Sequence, residues 1–208
     1  MPIRITLAAI ALLAATMSAN ATNVVEVWDQ VSAPPAPKLS ATSVKASESA
    51  LLLLDIEPAV CNQERKPRCI DAVPAMAKFL DRARKAQMAV FYSNIPSGSR
   101  ETILPPVSPR DEEPIVKSSV NKFFGTKLDD YLKAKNVKTV IVCGTTSIGA
   151  ALYTASAAAQ YGYKIVLPVD CVPGASLYEE QVAVWSLING PGTARVLTAS
   201  TLDMISIE

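Results

Sequence analysis

The sequence predicts one three-layer α/β domain, a mainly parallel, doubly wound sheet with helices on both faces. Three observations predict it. Apolar strand-like runs alternate with helical patterns of ordinary length from residue 50 to about residue 200. The first run, Leu51-Leu52-Leu53-Leu54, is apolar without alternation, as a strand covered on both faces requires. The chain has 208 residues, half of them apolar, which suffices for one well-buried core and is too short for two ordinary α/β domains.

Residues 1–21 are set apart from that domain. Arg4 precedes an apolar run from Ile5 to Ala15, and the small-residue stretch Ser18-Ala19-Asn20-Ala21 follows. This is the pattern of a signal peptide cleaved after Ala21. The run is too short to span a bilayer, and no later stretch approaches about eighteen unbroken apolar residues. A periplasmic or secreted protein without a membrane anchor after cleavage is therefore expected. Residues 22–49 read as an extended N-terminal arm: a short strand over Val24–Trp28, then Ser32-Ala33-Pro34-Pro35-Ala36-Pro37. The folded domain is expected over residues 50–208.

Within the domain the elements follow in order. The strand of leucines ends in Asp55, and a polar loop bracketed by Cys61 and Cys69 leads to a helix carrying Val73, Met76, Leu80 and Ala83, with Pro74 near its first turn. Ala89-Val90-Phe91-Tyr92 is the second strand. Residues 93–122 hold Pro96, Pro105, Pro106, Pro109 and Pro114, so a long irregular excursion is expected, of the kind that is more often functional than passive. Thr126-Lys127-Leu128-Asp129 resembles a capping box opening a helix, and Thr139–Cys143 is the next strand, ended by Gly144. A small-residue helix through Ala150, Ala151, Leu152, Ala155 and Ala158 leads to the strand Ile165–Asp170. The last unit is a helix from about Ser176 to Ile188, with Glu179 as capping partner, and a strand over Ala194–Thr198.

Composition excludes several functions. Loss of residues 1–21 removes one of the 20 basic side chains, Arg4, and no acid, leaving 19 against 19 acidic ones. A neutral chain without a basic stripe has no electrostatic footprint for nucleic acid. Histidine is absent, which rules out a Ser-His-Asp or Cys-His relay and a histidine-ligated metal within this chain. No cofactor or metal is expected. In an oxidising compartment, Cys61 and Cys69 are expected to form a disulfide across their loop. Cys143 and Cys171 read as buried free thiols near strand ends; adjacent parallel strands can bring such a pair together, but side-chain direction decides that.

In doubly wound sheets, ligands bind beyond the carboxyl ends of the strands where strand order reverses. Asp55, Asn94, Gly144 to Ala150 and Asp170 all fall at such ends. Asp170 is expected to order the crevice through backbone amides rather than to do chemistry.

Three segments together resemble the isochorismatase-like, or cysteine hydrolase, superfamily. Leu51-Leu52-Leu53-Leu54-Asp55-Ile56-Glu57 is similar to its first strand, ending in Asp and usually followed by Gln. Val116-Lys117-Ser118-Ser119-Val120-Asn121-Lys122-Phe123-Phe124-Gly125-Thr126-Lys127-Leu128 is similar to its lysine, then phenylalanine six residues on, then Gly-Thr-x-Leu. Cys143-Gly144-Thr145-Thr146-Ser147-Ile148-Gly149-Ala150-Ala151-Leu152-Tyr153-Thr154-Ala155 resembles its nucleophile turn, and Gly162-Tyr163 its Gly-Tyr. The resemblance covers roughly residues 50–200. It implies that Asp55 is the catalytic acid or base, that Lys117 is the catalytic lysine, and that Ala150 stands where the nucleophilic cysteine usually is. Lys122 is the second candidate amine. Ser147, beside Thr146, is a candidate substitute nucleophile, although a hydroxyl needs a strong base and no histidine can serve.

The expected function is therefore that of an isochorismatase-like hydrolase acting on a small molecule through an Asp/Lys pair and water, without a covalent cysteine intermediate. A catalytically inactive small-molecule-binding protein of the same fold is the other reading. A cysteine amidase working through Cys143 or Cys171 is disfavoured, because neither lies at a helix start. Relatives are commonly oligomeric, so the resemblance also implies a homo-oligomer.

Overall fold

The computed structural model describes residues 22–208, so the expected signal peptide lies outside the described residues. The chain divides into two compact units, one ending at Ala36 and the other spanning Pro37–Glu208. In the first, the expected strand over Val24–Trp28 is replaced by turns and a 3-10 turn at Trp28–Gln30. The cause is local: the Asn23 side-chain oxygen accepts the backbone N–H groups of Val25 and Glu26, at 3.0 and 3.1 Å, and bends the chain. The second unit starts earlier than residue 50, because strand β1 (Thr42–Val44) is already part of it.

Twelve regular elements other than 3-10 and π turns build this unit. After β1 come β2 (Ser49–Leu54), α1 (Pro67–Lys85), β3 (Ala89–Asn94), β4 (Ile115–Lys117), α2 (Leu128–Ala134), β5 (Thr139–Gly144), α3 (Leu152–Gln160), β6 (Lys164–Pro168), α4 (Leu177–Asn189), β7 (Leu197–Ser200) and β8 (Ile205–Ile207). Six strands form one parallel sheet in the order β4-β3-β2-β5-β6-β7. The chain starts in the middle with β2, runs outward to β4, then crosses back to β5 and runs outward the other way. Strand order therefore reverses between β2 and β5.

Burial explains the pattern of each layer. Every residue of β2 is buried, with Leu51 and Leu53 in the core on the α1 side and Ala50, Leu52 and Leu54 in the core on the other. Val73, Met76, Phe79, Leu80 and Ala83 of α1 cover the first face. Leu128 and Leu132 of α2, the alanines of α3, and Val184 and Leu187 of α4 cover the second. A two-stranded parallel sheet, β1 with β8, closes the first face beside α1 through Val44 and Ile205.

Several boundaries differ from those expected. Helix α1 begins at Pro67, whose fixed φ and missing N–H suit the first helical position, so Pro74 lies inside the helix rather than in its first turn. The proline-bearing excursion contains an edge strand, β4, which is only three residues long and follows Pro114. Before α2, Thr126 Oγ1 accepts the Leu128 N–H at 3.2 Å, but Asp129 is engaged by Tyr163 and Lys133 instead of closing a capping box. Helix α4 is capped by Ser176, which accepts the Glu179 N–H at 3.2 Å. The last sheet strand is displaced to Leu197–Ser200 by the turns that fill residues 191–196.

Both cysteine pairs are bonded. Cys61 and Cys69 are joined with a Cα–Cα distance of 5.4 Å. Cys143 and Cys171, expected from the sequence to be free thiols, are joined as well, at 4.9 Å between Cα atoms. Cys143 lies near the end of β5 and Cys171 follows β6 in the same core face, so the adjacent strands aim both sulfurs at one point.

Candidate active site

Asp55 is the first residue beyond β2, and its backbone takes the left-handed conformation, φ 56°, which Asp tolerates better than most residues. The turn stops the strand and leaves the carboxylate at the point where strand order reverses. Only 4 % of Asp55 is exposed. Ser93, beside it on β3, donates its hydroxyl to Asp55 Oδ1 at 2.7 Å, and Lys122 Nζ lies 2.7 Å from Oδ2.

The lysine that meets Asp55 is therefore Lys122. Lys117, which the resemblance selects, ends the edge strand β4 with an exposed side chain and makes no ion pair among the described residues. The path of the intervening loop decides between them. Ser118 N–H bonds the Asn94 carbonyl and keeps Lys117 beside β3. The loop then doubles back: Thr154 of α3 accepts the Lys122 N–H and donates to the Val120 carbonyl, each at 3.2 Å. Phe123 is buried against Tyr161, ring centroids 4.9 Å apart, and its neighbour Lys122 is carried inward with it. Lys122 is fully buried, and its ammonium also donates to the Ser118 and Ser119 carbonyls. Those two carbonyls and Asp55 engage all the donors an ammonium has.

Burial pushes the Asp55 carboxyl above its ordinary pKa, and this outweighs the downward pull of Lys122, by charge and hydrogen bond, and of the Ser93 hydroxyl. Glu57 adds a smaller upward push. Glu57 is itself buried and organises the proline-bearing excursion: its carboxylate accepts the Ile95 N–H at 2.8 Å and the Thr102 hydroxyl at 2.6 Å. Gly98 packs so closely on that carboxylate that a Cβ has no room. No sequence signal pointed to this role beyond Glu standing where the family usually has Gln.

The turn after β5 supplies the second wall. Gly144, φ 133°, lies against the Leu54 backbone where a Cβ would collide, and Thr145 N–H bonds the Leu54 carbonyl at 3.0 Å. Ala150 is buried in the single π turn Ser147–Ala151 that precedes α3. Ser147 is fully buried, with its backbone N–H on Pro173 and no hydrogen-bond partner for Oγ among the described residues. The amide of Asn94, at the end of β3, is likewise buried and unpartnered among the described residues. Asp170 stands apart from this group: its carboxylate accepts the Leu202 N–H at 3.0 Å and ties down the chain after β7.

Lys66, which no sequence motif singled out, completes the crevice. It lies in the Cys61–Cys69 loop and donates its ammonium to Thr146 Oγ1. Burial holds its pKa below the usual lysine value, against the opposing pull of Glu179 and Asp55. The signal for it was its place in a short disulfide loop following a strand that ends at the crevice. A cavity of about 520 Å³ opens at the other, amino-terminal ends of the strands, lined by Ser49, Thr139 and Lys164, and holds none of these groups. Among the described residues, no group of three or more Cys, Asp or Glu is placed to hold a metal ion.

A doubly wound parallel sheet in this strand order, flanked by helices, matches the isochorismatase-like α/β fold. The chain belongs to the isochorismatase family: the isochorismatase domain matches residues 49–201. It is 26% identical over 135 residues to the uncharacterized isochorismatase family protein YrdC of Bacillus subtilis (strain 168), an alignment covering 59% of this chain and 72% of that protein. The same fold is seen in the cysteine hydrolase from Pseudomonas syringae pv. phaseolicola 1448A, with TM-score 0.69, 18% identity, and coverage of 81% of this chain and 95% of that one. It is seen again in an isochorismatase-like hydrolase from Alkaliphilus metalliredigens, with TM-score 0.67, 20% identity, and coverage of 75% and 95%.

Proposed function

We propose that this protein is a hydrolase of a small molecule in which Asp55 moves the proton, Lys122 tunes its proton affinity and water is the nucleophile. The buried 2.7 Å pair at the switch point carries this reading. A carboxyl group whose proton affinity is raised by burial is better able to hold a proton for a leaving group, and its conjugate base to take one from water. Lys122, held by two carbonyls, supplies a fixed positive charge that sets how far the proton affinity of Asp55 rises. On the motif resemblance Ala150 stands where the nucleophilic cysteine usually is, and an alanine side chain cannot form an acyl-thiol intermediate, which supports water as the nucleophile. Ser147 has no base bonded to its hydroxyl among the described residues and is not assigned the cysteine's role.

The test is turnover of isochorismate and of small amides by the purified protein, beside Asp55→Asn. Loss of turnover in the variant, by about 10²-fold or more for removal of a general acid or base, is the expected result. Equal turnover by both proteins rules the role out.

One observation favours the other reading, a catalytically inactive small-molecule-binding protein. Every donor of Lys122 is engaged within the protein, so its ammonium reaches a ligand only through Asp55. Absence of turnover on every substrate offered, together with carboxylate or amide binding, favours that reading. Export to the periplasm or beyond belongs to the same proposal, and the two disulfides suit an oxidising compartment.

A further inference from the structure

Lys66 is a cation without a direct ion-pair partner among the described residues, in a place where charge is costly to leave unpaired. It is half-buried, and among the described residues it makes no ion pair. The carboxylates near it each bond to other groups. Asp55 is engaged by Lys122 and Ser93. Glu179 accepts the Ala175 N–H at 2.8 Å, and Glu180 is clamped by Arg68 through two bonds of 2.6 and 2.7 Å while also accepting the Gly174 N–H. The one polar side chain that Lys66 meets among the described residues is the neutral hydroxyl of Thr146, which leaves ammonium donors unused.

The backbone that presents Lys66 is fixed. Cys61 and Cys69 close the loop covalently, Lys66 N–H bonds the Asn62 carbonyl at 2.9 Å, and the Cys69 N–H bonds the Lys66 carbonyl at 3.0 Å. Pro67 comes next and starts α1, while the Arg68–Glu180 clamp ties the helix start to the head of α4. The ammonium is thereby aimed at the β5–α3 turn, whose Ser147 hydroxyl is buried without a partner among the described residues.

We propose that Lys66 determines substrate class by binding the carboxylate of an anionic small molecule over the Asp55–Lys122 pair. This rests on the hydrolase reading of the site only for its location. The negative charge of such a ligand supplies the direct ion-pair partner that Lys66 lacks among the described residues, and Lys66 exchanges its bond to Thr146 for a charge-assisted one. Lys66 is a specificity residue and takes no part in proton transfer.

Calorimetric titration of pyruvate and benzoate, each beside its neutral amide, pyruvamide or benzamide, tests the assignment on the protein and on Lys66→Met and Lys66→Arg. At least one carboxylate is expected to bind, to weaken about tenfold or more in Lys66→Met, and to recover to within about threefold in Lys66→Arg, while the amides are unaffected by either change. No carboxylate binding to the unsubstituted protein, or equal binding by Lys66→Met, overturns the assignment. Binding needs no turnover, so the two claims fail separately: unaltered turnover in Asp55→Asn sinks the mechanism and leaves Lys66 standing, whereas Lys66-independent carboxylate binding does the reverse.

Discussion

Replacing Lys122 by methionine keeps the bulk and removes the charge, which leaves Asp55 buried without its cation. Removing one partner of a buried ion pair costs about 3–5 kcal/mol, whereas Lys117→Met, on an exposed side chain, is expected to fall within about 0.5 kcal/mol of the unchanged protein. Urea denaturation of both variants decides the point, and similar losses would contradict the pairing. Asp55 also leaves a signature in pH. Folded Asp55 binds its proton more tightly than unfolded Asp55, so stability falls as pH rises from the unfolded value, about 3.9, through the raised folded one. Asp55→Asn cannot titrate. The melting temperature of the natural protein should therefore drop relative to the variant between these limits, and a gap that is constant with pH would show that burial does not raise the acid. Asp55 was legible in the sequence because an acid at the end of an all-apolar strand in a doubly wound sheet has one place to be. The choice of lysine was not, since it depends on Phe123 and Thr154 anchoring a loop to α3, and no local pattern announces which residue of a loop is turned inward.

At the scale of elements, the two disulfides do different work. Closing a loop of 28 residues, as Cys143–Cys171 does, removes more freedom from the unfolded chain than closing one of 8, as Cys61–Cys69 does. Chain-entropy arithmetic gives about 3.6 against about 2.5 kcal/mol. The double variant Cys143→Ala, Cys171→Ala should accordingly be the less stable in urea. The double variant Cys61→Ala, Cys69→Ala should instead show the larger loss of carboxylate affinity, because that loop presents Lys66. If both variants lose binding in proportion to stability, the short loop has no positioning role. Proximity in sequence made the first pairing readable, while the second required knowing that β5 and β6 are neighbours with Cys143 and Cys171 on the same face. Strand β4 escaped notice for a related reason: three residues after a proline carry too little pattern, and its place at the sheet edge comes from pairing with Tyr92 to Asn94.

For the molecule as a whole, alternation of apolar runs and helical patterns was enough to read a doubly wound sheet, because strands buried on both faces leave an unbroken apolar signature. The closing of the α1 face was not readable. Strands β1 and β8 have three residues each and pair across nearly the length of the domain, Thr42 with Ile205 and Val44 with Ile207. Their pairing is held by long-range bonds: Ala46 N–H to the Glu208 carbonyl at 2.7 Å, Glu208 N–H to the Val44 carbonyl at 2.9 Å, and Arg82 of α1 donating to the Leu202 and Ile205 carbonyls. Leu202 and Ile205 seal the core beneath, 3% and 1% exposed. Truncating either one to alanine should cost about 2–5 kcal/mol, the range for emptying a packed core site. Because the clasp covers α1 and stands away from the crevice residues, carboxylate binding by the folded fraction should be retained. A melting temperature unchanged by Leu202→Ala or Ile205→Ala would mean that the β1–β8 pair is peripheral, and that the α1 face is closed by the helix alone.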